Sequence, residues 1–465
     1  MVGLACGITP ASINLLAQSL PQVPVGPPDS VGAASFQMPL AAPMIVTPHG
    51  PKNGGVQLGQ SYDGIDFLGS DCFCFPPDTN VAIGNNFVIE TVNKQMRVFD
   101  KDSGSQLLNE PLSTLFGATP IGDPYVVYDD NADRWYITAI DSFDEGLFLA
   151  VSYDGDPLHG FQTFPVPNVM PHFGLSADYP KIGFNRDAIF ISYNNLGFGS
   201  GSLAIAAIDK AAALSGTLIF YYTSGIQQHR AMPPAQMHHD VEGGVEWFVS
   251  TDGTDRDGNT IRVTKMANYL SSKPQFEETS LAVTPYVNAP SALQPGGSIT
   301  TFPNTTTTQV QYHKGRLVTA MASSIASDGF TFPKGLYYQI DVNGNGDSKP
   351  RLMREGVIDP GPGVAVQMPS VDEDQQGNLG FTWMESSTSE YLSMWVGNLY
   401  TNGRFSSQAA APGQGFFYVS SRIGDYSTIV LDPSDGKTFW SANEYIGSDG
   451  ASDIWRTHIT SFTAR

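Results

Sequence analysis

The chain has 465 residues, with 24 Lys and Arg against 45 Asp and Glu, a formal net charge of −21. Only 15% of residues are charged, against about 25% in an ordinary soluble domain, while there are 48 glycines and 33 prolines. So acidic a chain has nothing to neutralise a run of phosphates or to dock on anionic lipid, which excludes nucleic acid as a partner. It also has no apolar run near the roughly 18 residues of a membrane span.

Residues 1–54 are rich in Ala, Pro, Val and Ser, and Pro21, Pro24, Pro27 and Pro28 exclude a continuous helix. This stretch is expected to be an extended or disordered arm ahead of a single domain over 55–465. The first basic residue is Lys52, so no basic leader of a secretory signal is evident. Acidity and a Thr/Asn/Gly-rich composition still lean towards a secreted or cell-surface protein. Three cysteines, Cys6, Cys72 and Cys74, are too few for a disulfide scaffold. Cys72 and Cys74 read foremost as two thiols on a strand, with a Cys72–Cys74 or Cys6–Cys72 bridge as the alternatives.

From about residue 55 one pattern repeats: a polar or acidic start, a β-rich run, a Gly/Asn/Asp turn, and a second β-rich run. The first copy is Pro77-Asp78-Thr79-Asn80-Val81-Ala82-Ile83, turning at Gly84-Asn85-Asn86 into Phe87-Val88-Ile89. Marks at Asp78, Asp123, Asp178, Asp240, Thr301, Ser370 and Asp425 recur every 45 to 69 residues. Trp135, Trp247, Trp383 and Trp440 fall in the second run of their units, where a large apolar face would pack between neighbouring sheets. Seven such units predict an all-β, seven-bladed β-propeller of four-stranded antiparallel blades. Two tandem β-sandwiches would give the alternation, but no reason for an acid at each start.

Several segments resemble a large, uncharacterised family of secreted bacterial β-propeller proteins, loosely described as sialidase-like or BNR-repeat-like. They are Pro76-Pro77-Asp78-Thr79-Asn80, Gly122-Asp123-Pro124 with Asp133-Arg134-Trp135, Asp178-Tyr179-Pro180-Lys181, Arg422-Ile423-Gly424-Asp425-Tyr426-Ser427 and Phe439-Trp440-Ser441-Ala442-Asn443-Glu444-Tyr445. The resemblance covers about residues 70–462, implies the fold, and assigns no catalytic residue. No three-arginine set stands at the unit starts, which disfavours sialidase activity.

In a propeller the first strands run the same way, so Asp78, Asp123, Asp178, Asp240 and Asp425 are expected at one mouth of the central channel, with Asp78, Asp123, Asp178 and Asp425 as the catalytic candidates. Crowded carboxyls raise one another's pKa, which allows one to serve as acid and another as base or nucleophile in glycoside hydrolysis. Equally, an Asp at a strand start accepts backbone N–H bonds and fixes a turn. Tyr179, Tyr426 and Tyr445 are candidate sugar-stacking groups beside these acids, with Glu444 as a further substrate-binding candidate. His239 paired with Tyr179 or Tyr426, and Arg230 gripping a uronate carboxylate, would instead suit a polysaccharide lyase. Asp341, Asn343, Asn345 and Asp347 match the first half of an oxygen-rich calcium loop, or a plain Asn-Gly hairpin turn. Asn304-Thr305-Thr306 is a glycosylation sequon by pattern.

The expectation is therefore a secreted, monomeric, carbohydrate-active propeller, foremost a glycoside hydrolase acting on a polysaccharide. It would carry at most a structural Ca2+ and no organic cofactor. The alternatives are a non-catalytic glycan- or protein-binding propeller and a lyase centred on His239.

Overall fold

The computed structural model describes residues 44–46, 56–119, 121–141, 146–168, 176–196, 202–226, 231–239, 243–253, 255–325, 332–342, 349–417, 420, 422–448 and 452–464. The fold is all-β. Its unit is an antiparallel meander of neighbouring strands, first Asn80–Ile83, Phe87–Val92, Gln95–Asp100 and Gln106–Pro111. The second strand turns into the third through Asn93-Lys94, where Asn93 takes φ 52°, the left-handed conformation that two-residue hairpin turns require. A second meander follows in Ile121–Asp129, Arg134–Asp141, Gly146–Ser152 and Phe161–Val166. A third runs through Ser176–Phe184, Ala188–Leu196, Ser202–Asp209 and Phe220–Ile226. Later ones start at Val310–His313 and Val364–Glu373. The last consists of Thr428–Leu431, Phe439–Ser448 and Asp453–Ala464, with Val56–Asp66 from the other end of the chain as its fourth strand.

First strands of different meanders lie parallel to one another. Phe184 pairs with Gln236, Ala235–Met237 pairs with Val310–Tyr312, and an isolated parallel bridge joins Asp78 to Tyr426. Side chains complete what these few backbone pairs begin. Asn80 donates to the Pro124 carbonyl at 3.0 Å and accepts from the Thr428 hydroxyl at 3.1 Å. Ser370 meets the Ser427 hydroxyl at 2.6 Å and the Thr308 hydroxyl at 3.1 Å. Tryptophans fill the gaps between meanders: Trp135 lies over Gly84, where a Cβ would come within 2.5 Å of the indole. Trp440 packs with Val81, Ile83 and Val88, and Trp383 with Val318 and Tyr337.

Three first strands share a bulge in which two residues oppose one, with a left-handed residue followed by proline: Asp123-Pro124, Tyr179-Pro180 and Met368-Pro369, at φ 49°, 52° and 44°. Such a bulge bends the strand and re-aims its side chain, and proline is tolerated there because the ladder is already interrupted.

Several expectations are corrected. Thr301 does not start a first strand; it ends Gly297–Thr301, which pairs with Arg422–Ile423, and the strand of that unit is Val310–His313. In the fourth unit the strand is Ala235–Met237, ahead of Asp240, which lies outside the described residues. Cys72 and Cys74 are bonded to each other rather than free, with Phe73 between them in the left-handed region and Cα atoms 5.0 Å apart. The Asn304-Thr305-Thr306 sequon is fully buried, with the Asn304 amide donating to the Ala289 carbonyl. Within the expected arm, Met44–Val46 forms a strand beside Gly356–Ile358.

Replacing Asn80 by Ala removes both of its bonds and leaves the Pro124 carbonyl and Thr428 hydroxyl unsatisfied in the interior. The expected loss is about 2–3 kcal/mol, read from urea unfolding. An unchanged unfolding midpoint would show that this lacing contributes nothing.

Candidate functional site

The beginnings of the parallel first strands gather Asp78, Asp123, Asp178 and Asp425. Each carboxyl has its own partner. Asn93 Nδ2 donates to Asp78 Oδ2 at 2.8 Å. Asp123 Oδ2 accepts from the Tyr179 backbone N–H and the Tyr426 hydroxyl, both at 3.3 Å. Asp178 is bonded by Asn194. Arg422 forks onto both oxygens of Asp425 while its guanidinium lies 4.4 Å from the Phe302 ring centroid. Burial raises all four carboxyls, and neighbouring acids raise Asp78, Asp123 and Asp425 further. Asp123 is pushed up to about 6 by burial and by Asp178. Asp425 reaches about 7 through burial, with Arg422 pulling it down and Asp123 pushing it up. Asp78 rises well above its usual value through burial, Asp123 and Asp425. Arg422 is the most open part of the group, its side chain 41% exposed.

At the centre of the four acids stands a residue not singled out from sequence, Lys181. It is 1% exposed, and its Nζ lies 3.6 Å from the ring centroids of both Tyr179 and Tyr426 and 5.4 Å from that of Tyr125. The Tyr179 and Tyr426 rings are 4.8 Å apart and tilted by 43°, with the Tyr179 hydroxyl tied to the Asp425 carbonyl at 2.8 Å. Lys181 Nζ has no hydrogen-bond partner. Burial drives its pKa well down, and Asp425, Asp123, Asp78 and Asp178 push it back up. A sequence signal existed: a lysine opening an apolar run, Lys181-Ile182-Gly183-Phe184, just after the left-handed Tyr179-Pro180 pair.

Of the other candidates, Glu444 belongs to this group. Its Oε2 accepts from the Gly424 N–H at 3.0 Å, and its Oε1 is buried without a bond. Burial raises its carboxyl well above the usual range, with Asp425 adding to the effect. Neighbours on a strand face opposite ways, so Tyr445 points elsewhere, and its hydroxyl donates to Asp63 at 2.9 Å. That separates it from Tyr179 and Tyr426.

His239 is not brought to the acids. It and His238 both pair with Asp130, which follows the strand that Asp123 begins. Seven extended residues put Asp123 and Asp130 about 20 Å apart. Near that second end His238 also stacks on His313, which bonds Asp372 at 2.6 Å. Between the ends, Gln309 exchanges bonds with the Ile429 backbone at 2.6 and 3.2 Å, and Gln311 reaches the same carbonyl and Gln236. The middle of the assembly is thus filled by amides.

Asp341 ends its strand and is paired with Arg351 on the neighbouring strand. Asn343, Asn345, Asp347 and Arg230 lie outside the described residues. Among the described residues no group of three or more His, Cys, Asp or Glu is placed to hold a metal ion.

No known family profile and no curated protein matches the chain. Among solved structures it is similar to a GH43 endo-arabinanase from Bacillus licheniformis, at 16% identity and a TM-score of 0.31, covering 61% of this chain and 96% of that one. It is also similar to a protein of unknown function from Dyadobacter fermentans, at 9% identity and a TM-score of 0.40, covering 88% of this chain and 100% of that one. A subtype N10 neuraminidase-like protein of A/little yellow-shouldered bat/Guatemala/060/2010 matches at 10% identity and a TM-score of 0.38, over 71% of this chain and 95% of that one. Likenesses this distant carry no weight for the chemistry of this chain.

The raised carboxyls have a consequence for stability. Below about pH 4 Asp123 and Asp425 are protonated in both folded and unfolded chains. As pH rises towards about 7 the unfolded chain ionises first, so the stability these groups contribute is lost over that window. Asp123→Asn and Asp425→Asn should therefore gain in melting temperature relative to the parent as pH rises from about 4 to about 7. Differences that stay flat with pH would show that the carboxyls are not raised.

Proposed function

We propose that the chain is a secreted seven-bladed β-propeller that hydrolyses glycosidic bonds of a polysaccharide at its acidic mouth. A count of meanders supports the seven blades. Five are four-stranded and consecutive in sequence, one is closed by Val56–Asp66, and the strands Ala235–Met237, Val245–Ser250, Gly258–Ala267 and Gln275–Val287 supply the seventh.

The observation that carries the enzymatic reading is a set of neighbouring carboxyls whose values are spread by burial and mutual repulsion, Asp123 at about 6 and Asp425 at about 7. Between those values one carboxyl holds its proton for the leaving group while another is ionised to act as base or nucleophile, the division of labour glycoside cleavage needs. Asp425 is the general acid and Asp123 its ionised counterpart, which raises Asp425 by its charge. The lyase reading has no such support, because His239 is engaged with Asp130, away from Tyr179 and Tyr426. The non-catalytic reading rests on one observation: Asn93, Arg422 and the Tyr179 N–H hold three of the four acids as turn-fixing contacts would.

A panel of neutral and uronic-acid polysaccharides, scored by reducing ends and by the ultraviolet absorbance of unsaturated products, separates these readings. Reducing ends without absorbance are expected, with kcat lowered about 100-fold or more in Asp123→Asn and Asp425→Asn, and no change in His239→Ala. Retention of a glycan without cleavage would replace the hydrolase by a binding propeller.

A further inference from the structure

The four acids surround an amine that none of them bonds. Asp78, Asp123, Asp178 and Asp425 are taken up by Asn93, by Tyr179 and Tyr426, by Asn194 and by Arg422. Lys181 Nζ is buried and left without an acceptor, held in the open angle between two tyrosine rings. Whether ammonium or amine, the nitrogen keeps at least two N–H donors, and leaving them unbonded in the interior costs free energy. An arrangement this costly fits a site whose acceptor arrives with the ligand.

The surroundings limit what that acceptor is. A ligand carboxylate would approach four carboxyls, and the cation nearest to them, the Arg422 guanidinium, is already forked onto Asp425. A hydroxyl meets both demands, because its oxygen accepts from Lys181 while its proton is donated to a carboxylate oxygen. Neighbouring hydroxyls on one sugar ring repeat that match, whereas a uronate trades one of them for a repelled charge.

We propose that Lys181 is a substrate-binding residue that donates to a hydroxyl of a neutral sugar, and that the mouth selects neutral over uronic-acid glycans. The substrate class rests on the hydrolase reading, but the contact does not, since a binding propeller would use the same donor.

The test uses the full chain with 13Cε-labelled lysine. The neutral probes are cellohexaose, xylohexaose, arabinohexaose and galactohexaose, and the acidic probe is hexagalacturonate. At least one neutral probe is expected to bind by calorimetry and to move the Lys181 resonance, assigned by its absence from Lys181→Arg. Lys181→Met should bind that probe about tenfold more weakly or worse, the loss of one buried hydrogen bond. If Lys181→Met does not fold, as judged by circular dichroism, the resonance of the parent protein decides. Tighter binding of hexagalacturonate than of every neutral probe overturns the proposal, as does a Lys181 resonance unmoved by the best-binding probe or an absence of binding by all five. Neutral binding without new reducing ends sinks the hydrolase and leaves this contact standing. Cleavage with an unmoved Lys181 resonance does the reverse.

Discussion

The structure depends on the lateral joining of its first strands. Running parallel around a common centre, they share few backbone ladder bonds, and the N–H and C=O groups at their edges would otherwise be left open. Polar side chains close the gaps. Asn80 spans from the Pro124 carbonyl to the Thr428 hydroxyl, Ser370 joins Thr308 to Ser427, and Gln309 ties itself to the Ile429 backbone. This explains why Asn, Ser, Thr and Gln are so deeply buried in an all-β core, where they would be a liability without partners. The strand Val56–Asp66, paired with Asp453–Ala464, fastens one end of the chain to the other, and so holds the arrangement against opening at its seam.

The candidate site is a product of that joining. Because the first strands are parallel, their beginnings share one end, and the left-handed residue and proline at three bulges turn their side chains there. Tyr179 and Asp123 owe their positions to this device. The glutamines in the middle separate the acidic end, with its buried lysine, from the end that holds Asp130, His238, His313 and Asp372. The two ends are electrostatically different in kind. At the histidine end each acid faces a basic ring, and Asp130, though buried, is held low by hydrogen bonds from His238 and His239. At the lysine end burial and repulsion raise the acids instead, because four of them share one unbonded amine and a single guanidinium.

Much of the fold was legible in the chain, because a strand writes its pattern into residues two apart. The runs at Val81–Ile83, Tyr125–Tyr128, Ile182–Phe184 and Ile429–Leu431 are strands, and the tryptophans at 135, 383 and 440 lie between meanders as their size demands. The reading failed where polarity stood in for position. Asp240 and Thr301 are polar before an apolar run, yet the strands nearby are Ala235–Met237 and Val310–His313, whose glutamines Gln236 and Gln311 are buried by bonding to each other across the centre. The Asn304 sequon fails for the same reason. Lys181 is not legible from sequence, because a lysine within a strand ordinarily reaches water and nothing near it in sequence says that four acids and two tyrosine rings will enclose it. Glu444 and Tyr445 show the limit of adjacency: one residue apart, they serve opposite faces of a sheet.

Sequence by itself determined the strand content, the meander unit and the acidic character, since composition and period-two alternation are local properties that need no partner. Tertiary structure alone decided that the Tyr426 hydroxyl meets Asp123, 303 residues away, that His239 serves the other end, and that Lys181 is left without an acceptor. Those outcomes follow from which strand lies beside which once the ends of the chain are joined. Burial, and with it every raised carboxyl and the lowered amine, exists only after that joining excludes water.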